Sequence, residues 1–212
     1  MSFVHYHRLH HKYIDTYADP QNIKRGMFYA QIGWRLQQKH PEYKRRIKEI
    51  SYDDVLKDKV VMFQHKYYLI ITLIVAYIIP VSIAMYLWEE TFINALCICG
   101  AAKSFLAIHM HGMVGSVCHS FGQRTYNARI SATDNPFVQY FVVGEAYHNF
   151  HHTFPYDYAI CELGKTFNFS KWFIDACAYF KLASNLRTAG IEYIKKAKEN
   201  VNAHNPSCYD FD

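Results

Sequence analysis

Apolar and polar residues divide this chain into three blocks. Residues 67–88 are 22 uncharged, mostly apolar residues, and residues 91–119 form a second apolar run whose single charged residue is Lys103. A helix rises about 1.5 Å per residue, so the first run reaches about 33 Å and can cross a hydrocarbon core of about 30 Å. The pattern predicts a transmembrane helical hairpin, kinked at Pro80, with Lys103 facing the neighbouring helix or reaching toward water. The alternative is a pair of buried helices in a soluble helical protein.

The distribution of charge predicts how this hairpin is oriented. Residues 1–66 carry 13 Lys and Arg against 7 Asp and Glu, and the short turn between the two apolar runs is acidic. By the positive-inside rule, both ends of the hairpin face the cytosol. We therefore predict a cytosolic segment 1–66, a transmembrane hairpin 67–119 and a second cytosolic segment 120–212 that ends in a polar tail.

The composition excludes several other classes of protein. Hydrophobic residues make up 51% and aromatic residues 17% of the 212 residues, which excludes a disordered chain. The net charge of +5 is too small to indicate a nucleic-acid-binding protein. The six cysteines show no paired metal-binding spacing and favour free thiols in a reducing compartment. The 13 histidines are the feature that requires an explanation.

Two copies of one histidine motif flank the hairpin. Imidazole is the commonest metal ligand in proteins, and positions i, i+3 and i+4 of a helix share one face. Two independent copies have chance odds of about one in a thousand in a chain of this composition. We predict that each copy directs three imidazoles into one metal site; the alternative is six structural histidines. The motif HxxHH comprises His7, His10 and His11, and then His148, His151 and His152.

The number of candidate ligands indicates two metal ions. Six motif histidines together with His119 exceed the four ligands that one zinc ion takes. Few carboxylates lie nearby in the sequence, Asp15 and Glu145 being the nearest, so a carboxylate-bridged helix-bundle site does not fit. A nitrogen-ligated pair of iron ions beside a membrane points to oxygen chemistry on an apolar substrate.

Several segments resemble the membrane fatty acyl-CoA desaturases, close to the stearoyl-CoA (Δ9) branch. The resemblance implies an all-α fold: a helical hairpin that is part of a four-helix transmembrane bundle, and a cytosolic helical cap that holds a histidine-rich di-metal site. It also implies two Fe²⁺ ions, O₂ and a b-type cytochrome as electron donor, used to insert a cis double bond into a saturated acyl-CoA at the endoplasmic reticulum membrane. The matching segments are residues 7–13 (HRLHHKY), 18–22 (ADPQN), 32–34 (IGW), 39–41 (KHP), 122–124 (GQR) and 143–158 (VGEAYHNFHHTFPYDY).

The resemblance also assigns roles to individual residues. His119 matches an additional iron ligand, Trp34 a tryptophan that lines the acyl tunnel, and Lys39 part of a basic pair near the CoA end of the substrate. From the residues alone, Trp34 is equally an interfacial anchor, and Lys39 is an ordinary solvated cation. The implied metal ligands are His7, His10, His11, His119, His148, His151 and His152.

The chain also departs from the family pattern. The family's first histidine motif lies at the cytosolic end of an earlier transmembrane hairpin that this sequence lacks, Gly115 stands where the family has an asparagine, and Gly112 where it often has an aromatic residue. We therefore keep an alternative: a catalytically inactive truncated paralogue or fragment that assembles the di-iron site poorly and acts as the membrane partner of a complete desaturase in a homo- or hetero-oligomer. A related histidine-rich membrane hydroxylase is a third hypothesis, and a soluble zinc protein a distant one.

A further amphipathic segment lies near the end of the chain. Apolar residues at helical spacing predict a helix over 170–186, with Ser170 as its N-cap. Such a helix either lies against the membrane or closes over the metal cap, and we favour packing within the cap.

Overall fold

All regular structure in the described part of the chain is helical. The computed structural model describes residues 2–162 and 167–204, and within these ranges there is no strand. Two isolated bridges join Gln123 to Asp134 and Asp134 to Tyr147. The all-α prediction is confirmed for these residues. The polar stretch 195–212, predicted as a frayed helix and tail, is helical up to His204, and residues 205–212 lie outside the described ranges.

Six helices carry the argument that follows, and each is named here by its content. They are the first histidine helix (Ser2–Tyr13), the first apolar helix (Tyr68–Leu87), the second apolar helix (Phe92–His119), the second histidine helix (His148–Thr153), the aromatic helix (Phe169–Tyr179) and the terminal helix (Ile191–His204). Shorter helical segments are Ile23–Arg25, Tyr29–Gly33, Trp34–Leu36, Pro41–Arg46, Ile47–Glu49, Asp53–Lys57, Lys59–Lys66 and Val138–Tyr140.

The two apolar helices form a hairpin over the predicted residues, and its crossing of a membrane remains a prediction. They contain 20 and 28 residues, long and apolar enough to cross a membrane. Small buried residues, Ala84 and Ala95, let the helices approach next to the turn, where they pack with Val81. Elsewhere their apolar side chains are largely exposed.

Pro80 and Lys103 form a linked pair in this hairpin. The turn before the proline, Ile74–Ile78, widens to π-helical geometry, which accommodates a residue that clashes with the preceding turn of an α-helix. Proline has no N–H to donate to the carbonyl of Ala76, four residues earlier. Lys103 Nζ donates to that same carbonyl oxygen at 2.5 Å. The lysine therefore faces the neighbouring helix, as predicted.

The segments outside the hairpin gather at the His119 end of the second apolar helix. Val114 and Cys118 of this helix pack against Val138, Val142 and Ala146 in one buried cluster. This cluster brings the chain that leads into the second histidine helix beside the last turns of the second apolar helix.

The aromatic helix differs from its prediction at both ends. It begins at Phe169 and ends at Tyr179. The side chain of Asn168 accepts a hydrogen bond from the Lys171 N–H at 2.8 Å, so Asn168 and not Ser170 is the N-cap. Asparagine and serine are equally good N-cap residues. Asn168 is the N-cap because it directly precedes Phe169, the first residue of the helix.

Two glycines of the second apolar helix accept glutamine side chains from the segment that crosses it. A Cβ on Gly112 would lie 2.7 Å from the backbone oxygen of Gln31, and one on Gly115 would lie 2.9 Å from Nε2 of Gln21. Gln31 Nε2 also donates to the carbonyl of His109 at 2.7 Å. At both departures from the family pattern, a glutamine from elsewhere in the chain therefore lies directly against the glycine.

We expect Gly112→Ala to cost more stability than Gly115→Ala. At Gly112 the new methyl would meet a backbone oxygen that cannot move independently, so the free energy of unfolding should fall by about 1–3 kcal/mol. At Gly115 it would meet the end of a flexible side chain that can rotate away, and the loss should be smaller. Denaturant unfolding of both variants in detergent measures the difference, and equal losses would contradict the packing described here.

Candidate metal centre

The seven histidines predicted as ligands lie in two clusters. In each cluster the ligand nitrogens lie within 4.8 Å of one another. Both motifs lie on helices, as predicted. Their role as metal ligands remains a prediction. The four-histidine cluster contains His10, His119, His148 and His152, and the three-histidine cluster contains His7, His11 and His151.

Each motif contributes to both clusters rather than to one. His7 and His11, four residues apart, point into the three-histidine cluster, while His10 points into the four-histidine cluster. In the second motif the assignment is reversed: the outer pair, His148 and His152, joins the four-histidine cluster, and His151 joins the three-histidine cluster. Positions i and i+4 differ by only about 40° around a helix, whereas i+3 and i+4 differ by about 100°. The expectation that each motif fills a single site is therefore corrected.

The three-histidine cluster has the geometry of a metal-binding face. The Nε2 atoms of His7, His11 and His151 form a triangle with all three sides at 3.0 Å. Around a triangle, donors and acceptors cannot alternate, so at least one of these close pairs is not a hydrogen bond. Two nitrogens bound to one metal at about 2.1 Å and at a right angle are about 3.0 Å apart. The triangle thus fits a cation better than it fits hydrogen bonding.

The four-histidine cluster is held by hydrogen bonds on the far side of its rings. His10 Nδ1 lies 2.8 Å from Asp19 Oδ1, and His119 Nδ1 lies 2.7 Å from Ser131 Oγ. Ser131 Oγ donates to Asp15, so it accepts from His119 Nδ1–H. Both Nε2 atoms are buried without a hydrogen-bond partner among the described residues. A ring anchored at Nδ1 with a free, buried Nε2 is the usual arrangement of a metal-ligating histidine.

The residues that orient these rings were not identified from the sequence. Asp15 was noted only as a nearby carboxylate, Asp19 only as part of a matching segment, and Ser131 not at all. Asp15 and Asp19 are joined through a hydrogen bond from the Asp15 N–H to Asp19 Oδ2 at 3.1 Å. One loop thus orients two of the clustered imidazoles, and no local motif shows this, because Ser131 is 116 residues away from Asp15.

Burial favours the neutral form of the imidazoles in the three-histidine cluster. Burial is the largest cause and repulsion from neighbouring imidazoles the next. Together they lower the pKa of His7 to about 3 and that of His11 to about 2. Burial likewise lowers the pKa of His151 to about 4. A neutral imidazole presents a lone pair, which is the form that binds metal.

We expect the metal-free protein to lose stability as the pH falls below 6.5. In the unfolded chain the imidazoles regain their ordinary pKa of 6.5, whereas in the folded chain those of His7 and His11 are about 3 and about 2. Between these values the unfolded state binds more protons, so acid lowers the free energy of unfolding. Denaturant unfolding at about pH 7 and at about pH 5 measures this slope. A double variant, His7→Gln with His11→Gln, should show a weaker slope, and an unchanged slope would contradict the assignment.

A cavity of about 210 Å³ lies between the two clusters. Its volume holds several waters or a small molecule such as O₂. Gln21 and Gly115 line it on one side, and His111 and Glu145, whose Nδ1 and Oε2 atoms are 3.9 Å apart, on another. The clusters contribute His7, His10, His148 and His151 to its wall.

The two predicted substrate residues lie side by side away from this cavity wall. Trp34 is buried and meets the ring of Tyr6 edge-on, with centroids 5.7 Å apart. Lys39 Nζ donates to the Trp34 carbonyl at 2.5 Å and lies 4.5 Å from the centre of its ring. Burial, followed by Arg35 and Arg25, lowers the pKa of Lys39. Their roles toward substrate remain predictions.

Comparison with known proteins identifies the family. The sequence model of the fatty acid desaturase family matches residues 2–176. The chain is 41% identical to stearoyl-CoA desaturase 4 of Mus musculus over 177 residues, which cover 84% of this chain and 50% of that protein. It is 40% identical to the acyl-CoA Delta-9 desaturase of Acheta domesticus over 196 residues, 92% of this chain and 55% of that protein.

A third relative has another named specificity. The acyl-CoA Delta(11) desaturase of Spodoptera littoralis is 40% identical over 202 residues, 95% of this chain and 60% of that protein. The chain spans about half the length of the first two relatives. With the family's sequence model matching most of its length, the chain belongs to the fatty acid desaturase family.

Proposed function

We propose that the protein containing this chain is an acyl-CoA desaturase that uses O₂ to insert a cis double bond into a saturated acyl-CoA. The observation that supports this most directly is the pair of imidazole clusters at the end of two long apolar helices. The reaction removes two hydrogens from neighbouring methylenes; two further electrons and two protons complete the reduction of O₂ to water.

The two clusters would each hold one Fe²⁺ ion. Three ligands at 3.0 Å spacing and four largely buried ligands suit two separate ions, and the all-nitrogen donor set suits iron. Bound iron would supply the oxidising chemistry. The protein's own residues fix the ligands: Asp19 and the pair of Ser131 and Asp15 hold their rings so that Nε2 faces the metal. Burial of the rings limits access of water.

The substrate would approach along the apolar helices. We assign Trp34 to the wall of the acyl tunnel and Lys39 to the CoA end of the substrate. Trp34 is a buried aromatic, and Lys39 is held against it by its hydrogen bond and by the ring. The position of the double bond is left open, because the relatives include Delta-9 and Delta(11) enzymes.

The same proposal places the chain in the membrane. Segment 67–119 would be a hairpin of a four-helix transmembrane bundle in the endoplasmic reticulum, and segments 1–66 and 120–212 a cytosolic cap. Exposed apolar faces on both long helices support this placement. Partners would be the lipid bilayer, a b-type cytochrome and a further desaturase chain in a homo- or hetero-oligomer.

Product analysis tests the proposed reaction. The purified chain is loaded with Fe²⁺, its iron is counted, and it is incubated with a saturated acyl-CoA, O₂ and a reduced b-type cytochrome. A cis-unsaturated product supports the proposal, and a hydroxylated product replaces it with the hydroxylase hypothesis. The absence of any product overturns catalysis by this chain, and fewer than two bound irons would then favour the inactive membrane partner, which assembles the di-iron site poorly.

A further inference from the structure

A group of exposed aromatic side chains lies on one side of the cap. They come from two separate parts of the chain, the segment around Val138–Tyr140 and the aromatic helix. Their exposed fractions lie between 40% and 70%. This group, the aromatic platform, consists of Phe137, Tyr140, Phe141, Phe169, Trp172 and Phe173.

Direct contacts join the two parts into one surface. The backbone N–H and the hydroxyl of Ser170 both donate to the Val143 carbonyl, at 3.1 and 3.0 Å. The ring of Phe167 stacks on Tyr140 at 6.0 Å and meets Trp172 edge-on at 5.3 Å. These contacts hold the two parts of the platform side by side, with Phe167 between Tyr140 and Trp172.

The platform lies beside the second apolar helix and not beyond its end. Val138 and Val142, which alternate in sequence with the exposed rings, pack inward on Val114 and Cys118. Val114 and Cys118 are five residues and one residue before His119, so this contact extends from the end of the helix to about 7.5 Å inside it. If the helix crosses the bilayer, the platform is at the depth of the lipid headgroups.

The chemistry of the platform matches that depth. Residues 135–144 contain no Asp, Glu, Lys or Arg. In the aromatic helix, the side chains of Lys171 and Asp175 pair with each other at 2.5 Å. Contiguous exposed apolar surface marks a binding face, and tyrosine and tryptophan concentrate at the membrane–water interface, where ring and polar edge are both satisfied.

We propose that the aromatic platform is immersed in the headgroup region of the bilayer and anchors the cap to the lipid surface. This inference rests on the proposed transmembrane placement of the two apolar helices. The anchor holds the end of the second apolar helix and the aromatic helix at one level.

The three tryptophans of the chain provide the test. Trp172 is in the platform, Trp88 is exposed at the far end of the first apolar helix, and Trp34 is 6% exposed inside the cap. Three variants of the full chain retain the buried Trp34: Trp88→Phe, Trp172→Phe and the double variant. Each is reconstituted into phosphatidylcholine nanodiscs, with and without bromine on the acyl carbons nearest the headgroup, and tryptophan emission is recorded.

Brominated lipid should reduce the Trp172 emission about two-fold, measured as the Trp88→Phe signal minus that of the double variant. The Trp88 emission should also be quenched, and the double variant should be unaffected. If the emission of Trp88 is quenched and that of Trp172 is not, the lipid anchor is overturned and the membrane placement stands. A blue-shifted Trp172 emission would then indicate that a protein covers the platform. Quenching of neither residue overturns both.

Discussion

His11→Ala should abolish metal binding at the three-histidine cluster while the four-histidine cluster keeps its metal. Removing His11 leaves two ligands, His7 and His151, whose Nε2 atoms are 3.0 Å apart. Two imidazoles cannot hold an ion against water, so affinity at this site should fall by more than about 100-fold, beyond the 10–100-fold effect of losing an outer partner. Metal content by mass spectrometry of the purified, Fe²⁺-loaded protein should fall to about half.

A matched variant in the other cluster makes the expectation specific. His10→Ala leaves the three remaining ligands of the four-histidine cluster, the number found in many catalytic metal sites. Its metal content should therefore fall less than that of His11→Ala. His65→Ala removes an exposed imidazole outside both clusters and serves as the control. Full metal content in His11→Ala would refute a separate site at the three-histidine cluster.

Asp19→Asn should weaken metal binding at the four-histidine cluster without removing a ligand. Asp19 is buried, and its oxygens accept from His10 Nδ1 at 2.8 Å, the Gln21 N–H at 2.8 Å and the Asp15 N–H at 3.1 Å. An amide offers one oxygen in place of two and can donate to Nδ1, which moves the ring proton to Nε2. Metal affinity should fall about 10–100-fold.

The same substitution should lower the free energy of unfolding by about 1–3 kcal/mol, because at least one buried N–H loses its acceptor. Metal titration followed by absorbance, with Co²⁺ as probe, measures the affinity, and denaturant unfolding measures the stability. Asp53→Asn, at an exposed position, is the control. Unchanged Co²⁺ affinity together with lost stability would mean that Asp19 supports the loop but does not orient His10.

The features that could be predicted from the sequence are those encoded within one helix. The apolar run 67–88 became a helix over Tyr68–Leu87, because length and absence of charge are enough to specify it. The HxxHH spacing was sufficient to place the histidines on helical faces. It did not predict which cluster each part of a motif joins, since that depends on how the two histidine helices cross.

The features that could not be predicted depend on residues far apart in the chain. The hydroxyl of Ser131 contacts His119 while it donates to Asp15, which is 116 residues earlier in the chain. From the sequence, Gly112 indicates the loss of an aromatic contact. In the structure, the backbone of Gln31 packs against this glycine. Such relations come from the packing of the second apolar helix against the cap, which no local pattern specifies.

The pairing of Lys103 with the Ala76 carbonyl has a consequence for how this hairpin can diverge. Lys103 on its own is a costly cation within an apolar helix, and Pro80 on its own leaves an acceptor without its donor. Together each removes the defect of the other, through the 2.5 Å hydrogen bond. Selection should therefore act on the two positions jointly. If position 80 changes to a residue with an N–H, a lysine at position 103 no longer has a favourable role. If Lys103 is lost, replacement of Pro80 becomes favourable.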